Sequence, residues 1–244
     1  IYDCTSQWGV FSIAGPNSRS FLKKIVVSED PDKTLSNKEF PWLSYRDIEI
    51  GMCPVRALRV AYTGELGWEL HHPIEMQNYL LDILLSSGKE FNLKLVGARA
   101  QNWLRQEKSY KAFGSDLGRD AGPFESKLSR FVDINKNFLG KDALLKRKTD
   151  VSCVTLLIDG PKDIDPWGRE ALYNETEEVM LGRLTSAGYS VHFKRSIGIG
   201  YVKSSFSEVG TKLRIKIDDA FWNAEIVRDS PYDPQNERII DRAQ

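Results

Sequence analysis

The strongest constraint on the fold is a change of pattern after about Lys148. From Val151 onward, short runs rich in β-branched and aromatic residues alternate with turns that contain glycine, proline or asparagine, and helical periodicity is nearly absent. Such runs at close spacing are typical of a small antiparallel barrel or sandwich. The predicted strands are 153–158, 171–173, 179–186, 197–202, 212–217 and 222–227.

The part of the chain before Lys148 mixes strand and helix periodicities, which predicts an α+β arrangement. Asn17 or Ser18 would cap the first helix. The second helix ends at Gly88. In the third helix the expected inward stripe is Ala98, Trp103, Leu104 and Tyr110. The predicted strands are 10–13, 48–52 and 55–62, and the predicted helices are 17–24, 76–87 and 96–110.

Composition excludes several classes of protein. Basic and acidic residues balance at 34 each, so the chain carries no electrostatic footprint for nucleic acid. Three widely spaced cysteines indicate reduced thiols and argue against a disulfide framework or a structural zinc, and three histidines are too few for a metal centre. The absence of an 18-residue apolar stretch predicts a chain without a membrane span. Ile1 is interpreted as a cut end or as the first residue of a fragment.

The segment from Tyr62 to Leu70, YTGELGWEL, is the most informative about function. It holds an aromatic ring at Tyr62 and a carboxylate at Glu69, with Gly64 and Gly67 between them. A flat heterocycle with neighbouring N–H donors is bound by a carboxylate at its edge and an aromatic ring against its face. An ordinary β-hairpin would use the same glycines, so the spacing alone leaves both interpretations open.

Residues 59–70, RVAYTGELGWEL, resemble the tetrahydrofolate-binding segment of the glycine-cleavage T-protein (aminomethyltransferase) family. Within the family, this sequence most resembles the C-terminal, folate-binding half of dimethylglycine and sarcosine dehydrogenases. The resemblance implies a folate-binding aminomethyltransferase-like α/β region over residues 1–148, lacking its N-terminal part, followed by a small antiparallel β-barrel domain over residues 149–244. Four further segments follow the family's order: GPNSRSFL at 15–22, WLRQEKSYKAFGSDL at 103–117, NFLGKDALL at 137–145 and SPYDPQNERI at 230–239.

The resemblance also implies a set of cofactor-binding residues. In the family, the tyrosine matching Tyr62 lies against the folate, the glutamate matching Glu69 bonds to its pteridine ring, and an aromatic residue near Trp42 lines the pterin pocket. Gln101 stands where T-proteins carry an arginine near the folate glutamate tail, a departure that weakens a salt link to a polyglutamate there. Arg105 is a further candidate ligand, with a structural role that holds its helix to a loop as the alternative.

Two other positions match the family without a clear assignment. Asp116 matches an aspartate near the family's central cavity, although a helix C-terminal turn would also explain it. Lys127 replaces a glycine of the family's Ala-Gly-Leu, which would either alter the cavity wall or face water.

The function that the resemblance implies is folate-dependent aminomethyl transfer, in which a one-carbon unit from an N-methyl amine is captured as 5,10-methylenetetrahydrofolate. The family's catalytic aspartate lies upstream of the segment matching residues 1–22, so it is expected outside this chain and the catalytic residues stay unknown. No strand–GxGxxG–helix pattern occurs. FAD is therefore expected only on a separate or missing domain, with an upstream FAD domain or subunit as partner. The expected location is the bacterial cytoplasm or the mitochondrial matrix.

One alternative belongs to a different class: a non-catalytic regulatory protein resembling the regulatory subunit of pyruvate dehydrogenase phosphatase. The segment DPWG at 165–168 suits either class. The intact ELGWEL sequence favours folate binding, because a purely regulatory protein need not keep Glu69. A tRNA-modifying folate protein on the same fold is disfavoured by the neutral charge.

Overall fold

The computed structural model describes residues 1–160 and 165–241. The strands are β1 (Trp8–Ala14), β2 (Tyr45–Ile50), β3 (Cys53–Leu58), β4 (Gly67–Pro73), β5 (Val151–Ile158), β6 (Ala171–Tyr173), β7 (Met180–Ser190), β8 (Arg195–Lys203), β9 (Lys212–Ile217) and β10 (Ala220–Val227). The α-helices are α1 (Ser18–Ile25), α2 (Pro31–Thr34), α3 (Gln77–Gly88), α4 (Ala98–Glu107), α5 (Lys141–Lys146) and α6 (Glu237–Ile240). Short 3-10 helices occupy Ile74–Met76, Lys89–Phe91, Ser129–Phe131 and Ser204–Phe206.

Tertiary contacts divide the chain into two units. The sheet unit comprises Ile1–Ala98 and Asp233–Gln244, and the barrel unit comprises Arg99–Tyr232. Within the described part of the chain, no helix has the length and apolarity needed to cross a bilayer.

The sheet unit is built on a four-stranded antiparallel sheet in the order β1-β4-β3-β2. Alternate residues of β4 are buried on one side of this sheet, as the two-residue period of a strand requires. The first two predicted helices are confirmed as α1 and α3, and both contribute to the core on that side. The predicted cap is only partly right: Asn17 precedes α1 but makes no side-chain cap hydrogen bond, whereas the Ser18 hydroxyl donates to the Gly15 carbonyl at 2.6 Å.

The strand predicted over 55–62 is wrong at its second half, because β3 ends at Leu58. The Val60 amide donates to the Leu58 carbonyl at 2.9 Å, and this tight local turn takes the chain out of the sheet. Tyr62 therefore lies in the loop of residues 59–66 and not on a strand.

The helix predicted over 96–110 is shorter than expected, and its buried face was predicted wrongly. The residues of α4 that are buried are Arg105, Gln106 and Glu107, whereas Ala98 is exposed and Trp103 is only half-buried. Burial of polar side chains is tolerated when hydrogen bonds satisfy them. Gln106 donates to a carbonyl of its own helix, and the Glu107 carboxylate accepts from a barrel hydroxyl at 2.5 Å.

The barrel unit contains a closed antiparallel barrel in the strand order β10-β5-β8-β7-β6-β9. All six predicted strands are present, and those at Ala171–Tyr173 and Lys212–Ile217 have the predicted bounds. Closure removes the sheet edges that a sandwich would leave. The interior is filled by aliphatic side chains, among them Val154, Leu156, Leu172, Leu184, Val202, Ile215 and Ile226.

Residues between α4 and β5 make several hydrogen bonds to the barrel strands. The Ser109 and Thr155 hydroxyls are 2.7 Å apart, and the Cys153 amide donates to the Glu125 carbonyl at 2.7 Å. These bonds place α4 and the segment that follows it in the same contact unit as the barrel. The domain division predicted after Lys148 stays a prediction.

Candidate functional site

The loop of residues 59–66 is anchored to the start of α1. The Leu66 carbonyl accepts from the Gly15 amide at 2.8 Å and from the Ser18 hydroxyl at 3.1 Å. Two of the segments that sequence analysis identified separately, 15–22 and 59–70, are therefore brought together in the sheet unit.

The two glycines of the motif are required by backbone geometry. Gly64 has φ +83°, in the left-handed region that favours glycine. A Cβ at Gly67 would lie 2.6 Å from the Ile13 carbonyl oxygen, closer than a side chain tolerates. Glycine at these positions lets the chain enter β4 directly beside β1.

A pair of buried arginines flanks Trp68, and sequence analysis missed both. The Arg19 and Arg59 guanidiniums lie 5.4 Å and 5.8 Å from the indole centroid. Arg59 donates to the carbonyls of Phe40 at 2.6 Å and Ile240 at 2.8 Å. Burial lowers the pKa of Arg59 to about 10, which leaves it charged at neutral pH. The signal was present in the sequence, since each arginine lies within one of the two motif segments.

The C-terminal motif segment also contributes to this part of the sheet unit. Asp233 accepts from the amides of Glu237 and Arg238 at the start of α6, and Ile239 is buried. The Arg238 guanidinium donates to the Glu65 carboxylate at 3.3 Å. Glu65 is thus paired within the protein.

Glu69 lies on the opposite side of the sheet from the core. It is the third residue of β4, paired in register with Ser12 of β1 and Leu58 of β3. Its side chain is 36% exposed and accepts one hydrogen bond, from His71 Nε2 at 3.2 Å, among the residues that the structure describes. A carboxylate offers about four lone-pair positions, so most of the acceptor capacity of Glu69 is available to a ligand.

Tyr62 and Trp42 lie on adjoining segments of the sheet unit. Tyr62 is half-buried in the loop of residues 59–66, and Trp42 is half-buried in the turn before β2. The Leu43 amide donates to the Arg59 carbonyl at 3.2 Å, and the Arg59 amide donates to the Ser44 carbonyl at 2.9 Å. These two bonds join the turn that carries Trp42 to the start of the loop that carries Tyr62.

Gln101 and its neighbour Arg99 belong to the first turns of α4. Gln101 is exposed. Arg99 forms an ion pair with Asp165, and its guanidinium lies 5.3 Å from the Trp103 ring centroid and 5.7 Å from that of Trp167. These contacts engage the Arg99 guanidinium with neighbouring side chains. A role for Gln101 at a folate tail stays a prediction.

Arg105 is buried in the barrel unit, and four hydrogen bonds engage its guanidinium. It donates to Asn102 Oδ1 at 3.0 Å, to the Tyr110 carbonyl at 2.7 Å, to Asp116 Oδ2 at 2.5 Å and to Ser186 Oγ at 2.6 Å. Within the described residues, these bonds use four of the five N–H donors of the guanidinium. The arrangement fits the structural alternative for Arg105, while its assignment as a ligand stays a prediction.

Two further side chains of the barrel unit have raised pKa values. Burial raises the pKa of Cys153 to about 11 and that of Tyr201 to about 12, so both are protonated at neutral pH. Lys127 is exposed and has φ +56°, a conformation that suits the glycine of the family motif. No group of three or more His, Cys, Asp or Glu within residues 1–160 and 165–241 could hold a metal ion.

Comparison with known proteins agrees with this arrangement. Residues 1–136 match the GCVT N-terminal domain, and residues 152–233 match the glycine cleavage T-protein C-terminal barrel domain. Mitochondrial dimethylglycine dehydrogenase of Mus musculus is 36% identical over 94% of this chain and 26% of its own length. Aminomethyltransferase of Caldanaerobacter subterraneus is 29% identical over 93% of this chain and 59% of its own length. The chain thus spans about a quarter of the dehydrogenase and under two thirds of the aminomethyltransferase.

A solved structure shows the same fold. The glycine cleavage system aminomethyltransferase T of Bartonella henselae matches with a TM-score of 0.76 and 21% identity, over 92% of this chain and 60% of that one. Mitochondrial sarcosine dehydrogenase of Mus musculus is also related, at 28% identity over 98% of this chain and 26% of its own length. The GCVT N-terminal domain match alone covers more than half of the 244 residues. The chain belongs to the glycine-cleavage T-protein family of aminomethyltransferases and the related C-terminal portions of dimethylglycine and sarcosine dehydrogenases.

Proposed function

We propose that this chain binds tetrahydrofolate through its sheet unit and forms the one-carbon-transfer portion of a dimethylglycine- or sarcosine-type dehydrogenase. The observation that carries the proposal is the Glu69 carboxylate. It lies on the solvent-facing side of β4, is 36% exposed, and has one hydrogen-bond partner within the described part of the chain. A carboxylate in this state can accept further N–H donors without first breaking a buried contact.

The chemistry of these side chains suits a reduced pterin. The edge of its aminopyrimidinone ring carries neighbouring N–H donors, and a charged carboxylate that accepts them gains roughly 1.5–3 kcal/mol per hydrogen bond. Tyr62 and Trp42 are half-buried aromatic residues on adjoining segments, a type of side chain that packs against flat heterocycles. Glu69, Tyr62 and Trp42 are therefore the residues proposed to hold the pterin.

When bound, tetrahydrofolate supplies the N5 and N10 nitrogens that take up a one-carbon unit as 5,10-methylenetetrahydrofolate. The contribution of this chain is to orient the pterin, and such positioning by itself accelerates a reaction between two bound groups. We assign no amine oxidation to this chain, since its sequence has no strand–GxGxxG–helix pattern to hold the FAD diphosphate. An FAD-bearing domain or subunit is the proposed source of the one-carbon unit.

A non-catalytic regulatory role is the less favoured candidate. The relatives named above are dehydrogenases and aminomethyltransferases. A regulatory protein would keep its effect on a partner without binding folate, so folate affinity separates the two roles.

Isothermal titration with tetrahydrofolate, together with tryptophan fluorescence, tests the proposal. Glu69→Gln replaces one acceptor oxygen with a donor, and we expect it to weaken binding by about 10- to 150-fold, the equivalent of roughly 1.5–3 kcal/mol. Glu49→Gln is the matched control, because Glu49 is an exposed glutamate of β2 in the same sheet. The affinity of the Glu49→Gln variant for tetrahydrofolate should stay within about twofold of the parent's, as expected for an exposed charge that touches no ligand. Absence of binding heat in the parent chain, or equal affinity of the two variants, would overturn the proposal.

A further inference from the structure

His71 is the side chain that contacts the Glu69 carboxylate. The two residues are separated by one position on β4, so their side chains leave the sheet on the same side. His71 Nε2 lies 3.2 Å from Glu69 Oε2, and the two side chains are 30% and 36% exposed. An ionised carboxylate only accepts hydrogen bonds, so the imidazole Nε2–H is the donor in this pair.

Within the described part of the chain, neither cross-strand neighbour of His71 pairs with Glu69. In register, His71 lies between Val10 of β1 and Arg56 of β3. Arg56 donates two hydrogen bonds to Asp47, at 2.8 Å and 3.0 Å, and its guanidinium is thereby directed toward β2. Val10 offers no polar group. Among the described residues, the His71 imidazole is the hydrogen-bond partner of Glu69, and it occupies one of the carboxylate's lone-pair positions.

We infer that His71 is a positioning residue, which holds the Glu69 carboxylate in the orientation that accepts a pterin; this inference rests on the folate-binding function proposed above. A glutamate side chain that is free to change rotamer loses conformational freedom when a ligand orders it, and this loss weakens binding. A hydrogen bond made before the ligand arrives removes part of that loss. His71 acts through Glu69 and need not touch the ligand.

A double-mutant cycle on the two residues tests the inference, with tetrahydrofolate titrated into each variant. His71→Ala should weaken binding by about three- to tenfold, the range that corresponds to ordering one side chain. In the Glu69→Gln background the same substitution should change affinity by less than about twofold, because its effect passes through the carboxylate. His71→Gln places an amide N–H near the position of imidazole Nε2, and it should restore most of the affinity that His71→Ala loses.

Arg56→Met is the matched control. It removes the charged neighbour of His71 in the same row of the sheet, and it should leave affinity within about twofold of the parent. If the control binds as well as the parent, Glu69→Gln binds about 10- to 150-fold more weakly, and His71→Ala binds as well as the parent, the positioning role is refuted while the folate site stands. An equal loss from His71→Ala in both backgrounds would also refute it, since that result indicates direct contact with the ligand. Absence of binding in the parent refutes the proposed function itself.

Discussion

Replacement of Asp116 by asparagine is expected to destabilise the barrel unit by about 3–5 kcal/mol, the cost of removing one partner from a buried ion pair. Asp116 and Arg105 have side chains that are 0% and 2% exposed. Their charges are compensated by each other, since Arg105 Nη1 lies 2.5 Å from Asp116 Oδ2. Neutralising the carboxylate leaves the guanidinium charged in a site that water does not reach.

The hydrogen bonds around Asp116 support the upper part of that range. Oδ2 also accepts from the Ala112 amide at 2.9 Å, and Oδ1 accepts from the hydroxyls of Thr185 and Ser186, each at 2.6 Å. An asparagine amide has one acceptor oxygen, so it must direct its NH₂ group at some of these donors. Each buried donor that loses its partner costs roughly 1–3 kcal/mol.

Urea unfolding of the parent and of two aspartate variants measures this cost. Asp159→Asn is the matched control, because Asp159 also pairs with an arginine, Arg195, at 2.7 Å, but their side chains are 60% and 37% exposed. The exposed pair should contribute about 0–1 kcal/mol. Amide hydrogen exchange of β7 and β8 reports whether the loss arises in the barrel unit.

Equal destabilisation by the two variants would refute the reasoning. A second comparison covers the case in which Asp116→Asn does not fold. The combined replacement of Arg105 by methionine and Asp116 by asparagine removes the uncompensated charge and keeps the same side chain at position 116, so it should be less destabilising than Asp116→Asn alone. A combined variant that is as unstable as the single one would show that the uncompensated charge is not the cause.

Two further predictions concern other parts of the fold. Gly67→Ala should cost about 1–3 kcal/mol in thermal unfolding, because its Cβ would lie 2.6 Å from the Ile13 carbonyl oxygen. Gly97→Ala should cost less than about 1 kcal/mol, because no described residue beyond its chain neighbours has an atom within 4 Å of the added Cβ. Stability should also fall as the pH rises from about 9 to 11, because the Cys153 thiol ionises in the unfolded chain at its ordinary pKa near 9.0 but keeps its proton in the folded state until its raised pKa of about 11. Cys153→Ala should remove roughly 2–3 kcal/mol of that alkaline loss in denaturant titrations at pH 8 and pH 11, and an unchanged slope would contradict the buried-thiol explanation.

The barrel was the most predictable part of the fold, because its strands depend on local alternation. The strand at Lys212–Ile217 alternates exposed and buried residues as its sequence indicates. Long-range polar contacts were not predictable in this way. Arg59 donates to the Ile240 carbonyl, 181 positions away, and Arg105 donates to Ser186, 81 positions away. Nothing in the local pattern of α4 indicates that Arg105 is buried. The sequence instead predicts that the apolar stripe is the buried face of this helix.

The candidate site was predicted from a motif whose residues have two different kinds of role. Folding accounts for several of them: Arg59 and Trp68 are buried together, Glu65 pairs with Arg238, and Gly64 has a positive φ. Their presence in the sequence therefore indicates the fold rather than a ligand. Glu69 differs, because its carboxylate lies outside the core and, among the described residues, its one hydrogen bond comes from a half-buried neighbour on the same strand. Because folding does not use the charge of Glu69, a functional test is most decisive at this residue. The proposed function therefore depends on Glu69 more than on the motif as a whole.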